Sequence, residues 1–256
     1  MVLFKGKRKY ALSFILIIML LFAASTVYAT DTDTVIPSIE VNFGQDSDNV
    51  ASSIQILVLI TILSLAPSIL IMMTSFTRFI IVFSFLRRAI SLQSTPPNQV
   101  LIALSLFMTF FVMAPVFSDV VDNAYEPYVN QEISQEEAID NAVTPMKEFM
   151  LRQTREEDLA LFMDLSEGPQ YDQFEDIPIT TVIPAFLISE IKTGFEIGFI
   201  LFIPFIVIDM VVASTLMSLG MMMLPPVMIS LPFKILLFIM VDGWNILVKQ
   251  LLMSVQ

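Results

Sequence analysis

The chain has 256 residues, 56% of them hydrophobic, and a formal net charge of −12. Its mean hydropathy of +0.79 lies far above that of soluble domains and predicts an integral membrane protein. Cysteine and histidine are both absent, which removes disulfides, Cys or His metal sites, thiol nucleophiles and His-based triads, and with them most hydrolase chemistry. No phosphate-loop or dinucleotide glycine pattern occurs, so no cofactor is expected, and the excess of acid opposes a nucleic-acid partner.

In chain order, residues 1–29 read as a cleaved signal peptide. Lys5, Lys7, Arg8 and Lys9 precede the apolar stretch "ALSFILIIMLLFAA", and "VYA" offers a cut after Ala29; the alternative is an uncleaved first span. Such a peptide implies a bacterial inner-membrane protein with its mature N-terminus in the periplasm. Residues 30–49, with Asp31, Asp33, Glu40, Asp46 and Asp48, form an acidic periplasmic tail. Residues 50–118 predict a first hydrophobic helical hairpin. No charge occurs from Asn49 to Thr77, long enough to cross a bilayer, and Pro67 predicts a kink or break. Arg78, Arg87 and Arg88 and the turn signal "STPPNQ" follow, then the apolar run Val100–Phe117. Counting positive charge places the three arginines together on the cytoplasmic side.

Residues 119–183 form an acidic periplasmic insert, with 16 acidic and 3 basic residues between 119 and 176. Ser134-x-x-Glu137 and Thr154-x-x-Glu157 both fit a capping box, Pro145 reads as the start of another short helix, and Leu159, Phe162 and Met163 predict an apolar stripe. The whole predicts a small helical domain. Residues 184–256 predict a second hydrophobic hairpin, with long segments of roughly 184–219 and 227–253 on either side of "GMMMLPP", Gly220–Pro226. Hydropathy thus gives four spans in two hairpins. Against four simple spans stand Pro67, Pro115, Pro184 and Pro204 and several lone charges, each costly in lipid; the apolar helices are expected to be covered by protein partners.

Candidate residues follow from charge and flexibility. Met221, Met222 and Met223 are unbranched, polarizable side chains at a bend where Gly220 permits an unusual backbone and Pro225 with Pro226 halts the helix; on residue type alone they read as ordinary core methionines at a hairpin tip. Asp209 and Lys234 lie either side of the bend, at similar depth on antiparallel segments, and predict an ion pair; the alternative is that each meets water separately. Lys192 and Glu196, spaced i, i+4, share a helix face with Glu190 nearby, serving either a solvated surface or subunit bonding. Asp242 is expected to bond backbone or a neighbour, and Trp244 to anchor at an interface.

The stretches "PAFLISEIKTGFEIGFILFIPFIVIDMVVAS" (184–214) and "LGMMMLPPVMISLPFKILLFIMVDGW" (219–244), with the signal peptide and the acidic insert, closely resemble the FliP/SctR family of type III secretion export-gate proteins. The resemblance implies an all-α membrane protein of long kinked helical hairpins with a small periplasmic insert, assembling into a helical ring. It implies a non-enzymatic, pore-forming core subunit of the flagellar export gate. Several copies, five in the family, would assemble with FliQ and FliR in the inner membrane, at or above the periplasmic face. FlhA and FlhB would act alongside, with unfolded flagellar polypeptides as cargo. It turns Met221–Met223 from core residues into a deformable pore seal. The signal peptide favours the flagellar system over a virulence injectisome. A proton-coupled transporter using Asp209, Glu196 and Lys234 would predict internal repeats, and none is seen; "DGW" at Asp242 does not supply an intramembrane aspartyl-protease context.

Overall fold

The computed structural model describes residues 71–92, 94–166, 176–221 and 223–255, with scattered positions between 57 and 69. The signal peptide and the acidic tail lie outside the described residues. Every helix named below belongs to the compact unit Val58–Gln256, and the described secondary structure is helical throughout.

Residues 67–69 are helical and the chain turns at 73–75, before α1 (Phe76–Ala89). Phe79, Val82, Phe83, Leu86 and Ala89 recur at three- and four-residue intervals and are buried along one stripe. Helix α2 (Asn98–Val120) does not stop where the acidic segment begins. It continues through a π-helical turn, Val121–Tyr125, into α3 (Glu126–Val129), giving a 32-residue apolar helix, Asn98–Val129. The boundary expected at Asp119 is therefore absent from the backbone, because nothing between Ser118 and Glu126 ends a helix.

Ser134 accepts from the Glu137 N–H and Glu137 accepts from the Ser134 N–H, so the first capping box forms and starts α4 (Gln135–Gln153). The bond from the Ser134 backbone N–H and, after it, the Ser134 hydroxyl hold the Glu137 carboxyl below its ordinary value. Pro145 does not start a helix; it sits inside α4. Its missing N–H frees the carbonyl of Asn141, an exposed residue, so water meets the need that breaks a buried helix. The second box does not form. Thr154 ends α4, its hydroxyl donates back to the Met150 carbonyl, and Arg155 becomes the N-cap of α5 (Glu156–Leu165). Leu159 is buried, with Phe162 and Met163 packed beside it. Among its described residues the acidic segment builds no separate core: Phe149, Met150 and Leu159 join the cluster built by α1 and α6, with the Phe149 ring edge-on to Phe186.

Helix α6 (Ile179–Ser218) has 40 residues and remains one helix through Pro184 and Pro204. At 1.5 Å per residue it is about 60 Å long. It packs along α1. Arg78 meets Glu190, Ile81 lies at Gly194 and Phe85 at Gly198, so the two helices run parallel with a nearly constant register. Helix α7 (Pro226–Met240) returns antiparallel, and α8 (Gly243–Met253) continues it after a 64° bend. At the bend Asp242 takes a left-handed φ of 51°, and Gly243 lies under the Phe238 ring, where a Cβ would come within 2.3 Å of its edge. By length and composition two helices can cross a membrane, Asn98–Val129 and Ile179–Ser218, or three if the bent α7–α8 pair is one span. The four spans expected from hydropathy are not all present as single helices among the described residues.

Candidate functional site

The tip between α6 and α7 is set by local backbone chemistry. After Ser218 the Met221 N–H bonds the Leu216 carbonyl at 3.0 Å and the Gly220 N–H bonds the Met217 carbonyl at 3.0 Å. That pair of bonds needs a left-handed residue just past the helix, and Gly220 supplies it with φ 71°. Pro225 then caps α7 and Pro226 occupies its first position, where a proline loses no helical hydrogen bond. The tip is apolar and open: Met223 is 98% exposed and Met221 45%. Met222 lies outside the described residues.

Asp209 and Lys234 meet. Lys234 is 1% exposed, and its ammonium spends all three N–H groups, donating to Asp209 Oδ2 at 2.6 Å, the Ser91 hydroxyl at 2.7 Å and the Ala89 carbonyl at 3.1 Å. Asp209 also accepts from the Ser230 hydroxyl. A lysine here satisfies a carbonyl at the end of α1, which no helical N–H reaches, and ties α1, α6 and α7 at one point. Ser91 reaches it from a left-handed backbone with φ 64°.

A second buried ion pair closes the other end of α1. Arg78 is 2% exposed and donates to both carboxylate oxygens of Glu190, through Nε at 3.1 Å and through Nη2. Nη2 also reaches Gln153 Oε1 at 3.0 Å, and Nη1 reaches the Ser254 carbonyl and hydroxyl. The guanidinium thus joins α1, α4, α6 and the turn after α8. This overturns the grouping of Arg78 with Arg87 and Arg88. Arg87 lies nine helical steps beyond Arg78, about 14 Å, and Arg78 sits at the end nearest the acidic segment. Its position inside an otherwise uncharged run from Asn49 to Leu86 was the sequence signal that it is buried and paired.

Lys192 and Glu196 serve neither as an isolated pair nor as a bare solvated face. Lys192 bonds Asp158, and Glu196 bonds Arg155 with a closest approach of 2.6 Å. Ser189 donates to Asp158 at 2.8 Å and accepts the Arg155 N–H at 3.0 Å, while Arg155 reaches the Thr193 hydroxyl. The polar stripe Ser189, Lys192, Thr193 and Glu196 on α6 is therefore a clasp for the start of α5. Burial alone would raise the Asp158 carboxyl, but the Lys192 and Ser189 hydrogen bonds and the Lys192 and Arg155 charges outweigh it and hold it below its ordinary value. The Glu196 hydrogen bond raises the Arg155 guanidinium further above its own. Arg155 and Asp158 carried no signal, since they stood in a strongly charged segment. The Asp242 side chain makes no cap bond, and Trp244 packs edge-on to Phe238 with ring centres 5.6 Å apart.

The arrangement places an uncharged, methionine-bearing tip on a hairpin whose base is locked by ion pairs. Among the described residues no group of three or more acidic side chains is placed to hold a metal ion.

Residues 59–251 match the FliP family. The chain is 58% identical over 209 residues to the flagellar biosynthetic protein FliP of Bacillus subtilis (strain 168), covering 82% of this chain and 95% of that protein. It is 56% identical over 202 residues to the protein of that name from Pectobacterium carotovorum subsp. carotovorum, covering 79% and 78%. Against that of Aquifex aeolicus (strain VF5) it is 50% identical over 223 residues, covering 86% and 92%. With a family match across most of its length and relatives this similar covered over 78–95% of theirs, the chain belongs to the FliP family.

Proposed function

We propose that this chain is a pore-forming core subunit of the flagellar type III secretion export gate, passing unfolded flagellar polypeptides across the bacterial inner membrane. The observation that carries the reading is the unsheathed hairpin. Phe195, Phe199, Ile203, Val207 and Met210 form an exposed apolar stripe along α6, leading to exposed Met221 and Met223. From Phe195 to Met210 the stripe is about 23 Å of helix, shorter than the ~30 Å of a hydrocarbon core, and Glu196 and Asp209 lie within it, so it is read as a face for protein neighbours rather than as a simple lipid-covered span. The flagellar names of the relatives support the setting.

In this reading five copies of the chain join FliQ-like and FliR-like subunits, with FlhA and FlhB adjoining, and the acidic segment stands on the periplasmic side. Met221, Met222 and Met223 from each copy meet on the axis. Being flexible and apolar, they close around chains of differing width and exclude water when empty. Gly220, Pro225 and Pro226 shape the loop. Asp209 with Lys234 and Glu190 with Arg78 keep each hairpin rigid behind it, and Lys192 and Glu196 hold α5. Asp242 and its bend direct α8 back along the bundle.

Coexpression with FliQ-like and FliR-like partners tests the assembly. Native mass spectrometry is expected to give one discrete particle holding several copies, and heterogeneous oligomers when the chain is expressed alone. A stable monomer that ignores those partners would overturn the reading.

A further inference from the structure

A cavity of about 180 Å³ opens where α1 ends, α2 begins and α7 turns into α8. Phe83, Leu101, Phe238 and Ile239 give it apolar walls, Arg87 is its one charged lining residue, and Trp244 stands among them. An apolar cavity of 150 Å³ stays dry and admits benzene, so this one accepts a hydrocarbon guest. Its depth is set by the chain. It lies at the Asn98 end of the uncharged run that extends to Ser118, the end opposite the acidic segment, where a headgroup layer begins if α2 spans. Arg88 is exposed beside Arg87, so this end is basic while the other end is acidic, the polarity expected of a cytoplasmic leaflet. Arg87 uses Nη1 for the Asn98 side chain and the Pro96 carbonyl; its Nε and Nη2 make no bond among the described residues, leaving donors for a phosphate. An arginine and a tryptophan around an apolar slot, at interfacial depth, match an anionic lipid in both its parts.

We propose that this cavity is a binding site for one anionic phospholipid, with an acyl chain between Phe83, Leu101 and Phe238 and the phosphate on Arg87 and Arg88. The site goes beyond the pore reading and does not depend on it.

Trp244 is the only tryptophan of the chain, so its fluorescence reports the cavity directly. The detergent-solubilised full chain is titrated with phosphatidylglycerol brominated on its acyl chains, and separately with brominated phosphatidylcholine. The expected result is saturable quenching at about one phosphatidylglycerol per chain, reversed by unbrominated phosphatidylglycerol, with at least fivefold weaker binding of phosphatidylcholine. Ile239→Phe, at an exposed lining position that tolerates bulk, should abolish saturable quenching by both. Arg87→Gln with Arg88→Gln should erase the preference for phosphatidylglycerol while keeping quenching by either lipid.

Quenching that rises linearly with lipid and is the same in Ile239→Phe would mean that Trp244 merely faces the micelle, and would overturn the site. Saturable quenching with no headgroup preference would overturn the anionic assignment. Saturable quenching by the chain alone that disappears on assembly with its partners would assign the cavity to a neighbouring subunit's side chain.

Discussion

Lys234 illustrates why pairing and placement are different questions. Two lone opposite charges placed symmetrically about a bend announced the Asp209–Lys234 pair in the sequence. The rest of the cage did not show, because the Ala89 carbonyl and the left-handed Ser91 are backbone features of another helix. The cage sharpens what mutation should do. Asp209→Ala leaves a buried ammonium without its counter-charge, at a cost of about 3–5 kcal/mol, read as a lowered melting temperature of the solubilised chain. A pair alone predicts that exchanging the residues, Asp209→Lys with Lys234→Asp, recovers stability. The cage predicts no recovery, because an aspartate at 234 would face the Ala89 carbonyl; a melting temperature restored by the exchange would contradict it.

Glu190 and Arg78 are separated by 112 residues, and no spacing rule links them; Glu190→Ala should cost a similar ~3–5 kcal/mol, whereas Arg78→Met with Glu190→Leu together should be far milder. Asp158 titrates below its ordinary value of 3.8. A depressed folded value stabilises fully above the unfolded one and is lost as pH falls through the folded one. Spin labels at exposed Leu161 and Phe195, unambiguous in a chain without cysteine, should therefore hold a fixed separation from pH 7 to about 4 and part only below the ordinary value. Asp158→Asn should remove that acid step, and separation already at pH 6 would assign the clasp to another group.

Among the helices, uncharged or nearly uncharged apolar runs made α2, α6 and α7 legible, and the Ser134 box gave the start of α4 to the residue; α1, which begins where the Asn49–Thr77 run ends and holds all three arginines, was not read as a helix of its own. Boundaries failed where a signal had two uses. Thr154 fits a cap by sequence, but a hydroxyl that follows a helix bonds backward to it, and the preceding helix claimed it. Pro145 reads as a helix start because proline favours a first position, yet an exposed helix tolerates it inside. The contact between α1 and α6 depends on two glycines that nothing in the sequence singled out, since the side chains they meet lie on another helix. A Cβ at Gly198 would lie 2.6 Å from the Phe85 ring, and one at Gly194 3.1 Å from Ile81. Phe85 is itself held edge-on by Phe195 and Phe202, so it has little room to move. Gly198→Ala should cost about 1–3 kcal/mol through overpacking, and Gly194→Ala less. Adding Phe85→Leu to Gly198→Ala should recover part of the loss in thermal melts; no recovery would mean that the backbones, not the ring, set the helix spacing.

On the scale of the whole molecule, the proposed assembly rests on where the charges of α6 lie. Within α6 the uncharged run between Glu196 and Asp209 is 12 residues, about 18 Å, short of a hydrocarbon core of ~30 Å. Yet Glu190, Lys192, Glu196 and Asp209 all have partners inside the chain. In the proposed assembly the helix stands among protein neighbours, with its charges paired within the chain and its apolar face and tip exposed. Hydropathy could not show this, since it scores a lone charge without its partner. The central claim is that this outward tip closes a pore. Its most direct test is the leakage of small ions and solutes across the inner membrane of cells in which Met221, Met222 and Met223 are replaced by alanine, with assembly of the complex verified in parallel. Alanine removes the bulk of the seal without adding polarity, so the account predicts an assembled complex that leaks well above wild type; an assembled complex that leaks no more than wild type would contradict it.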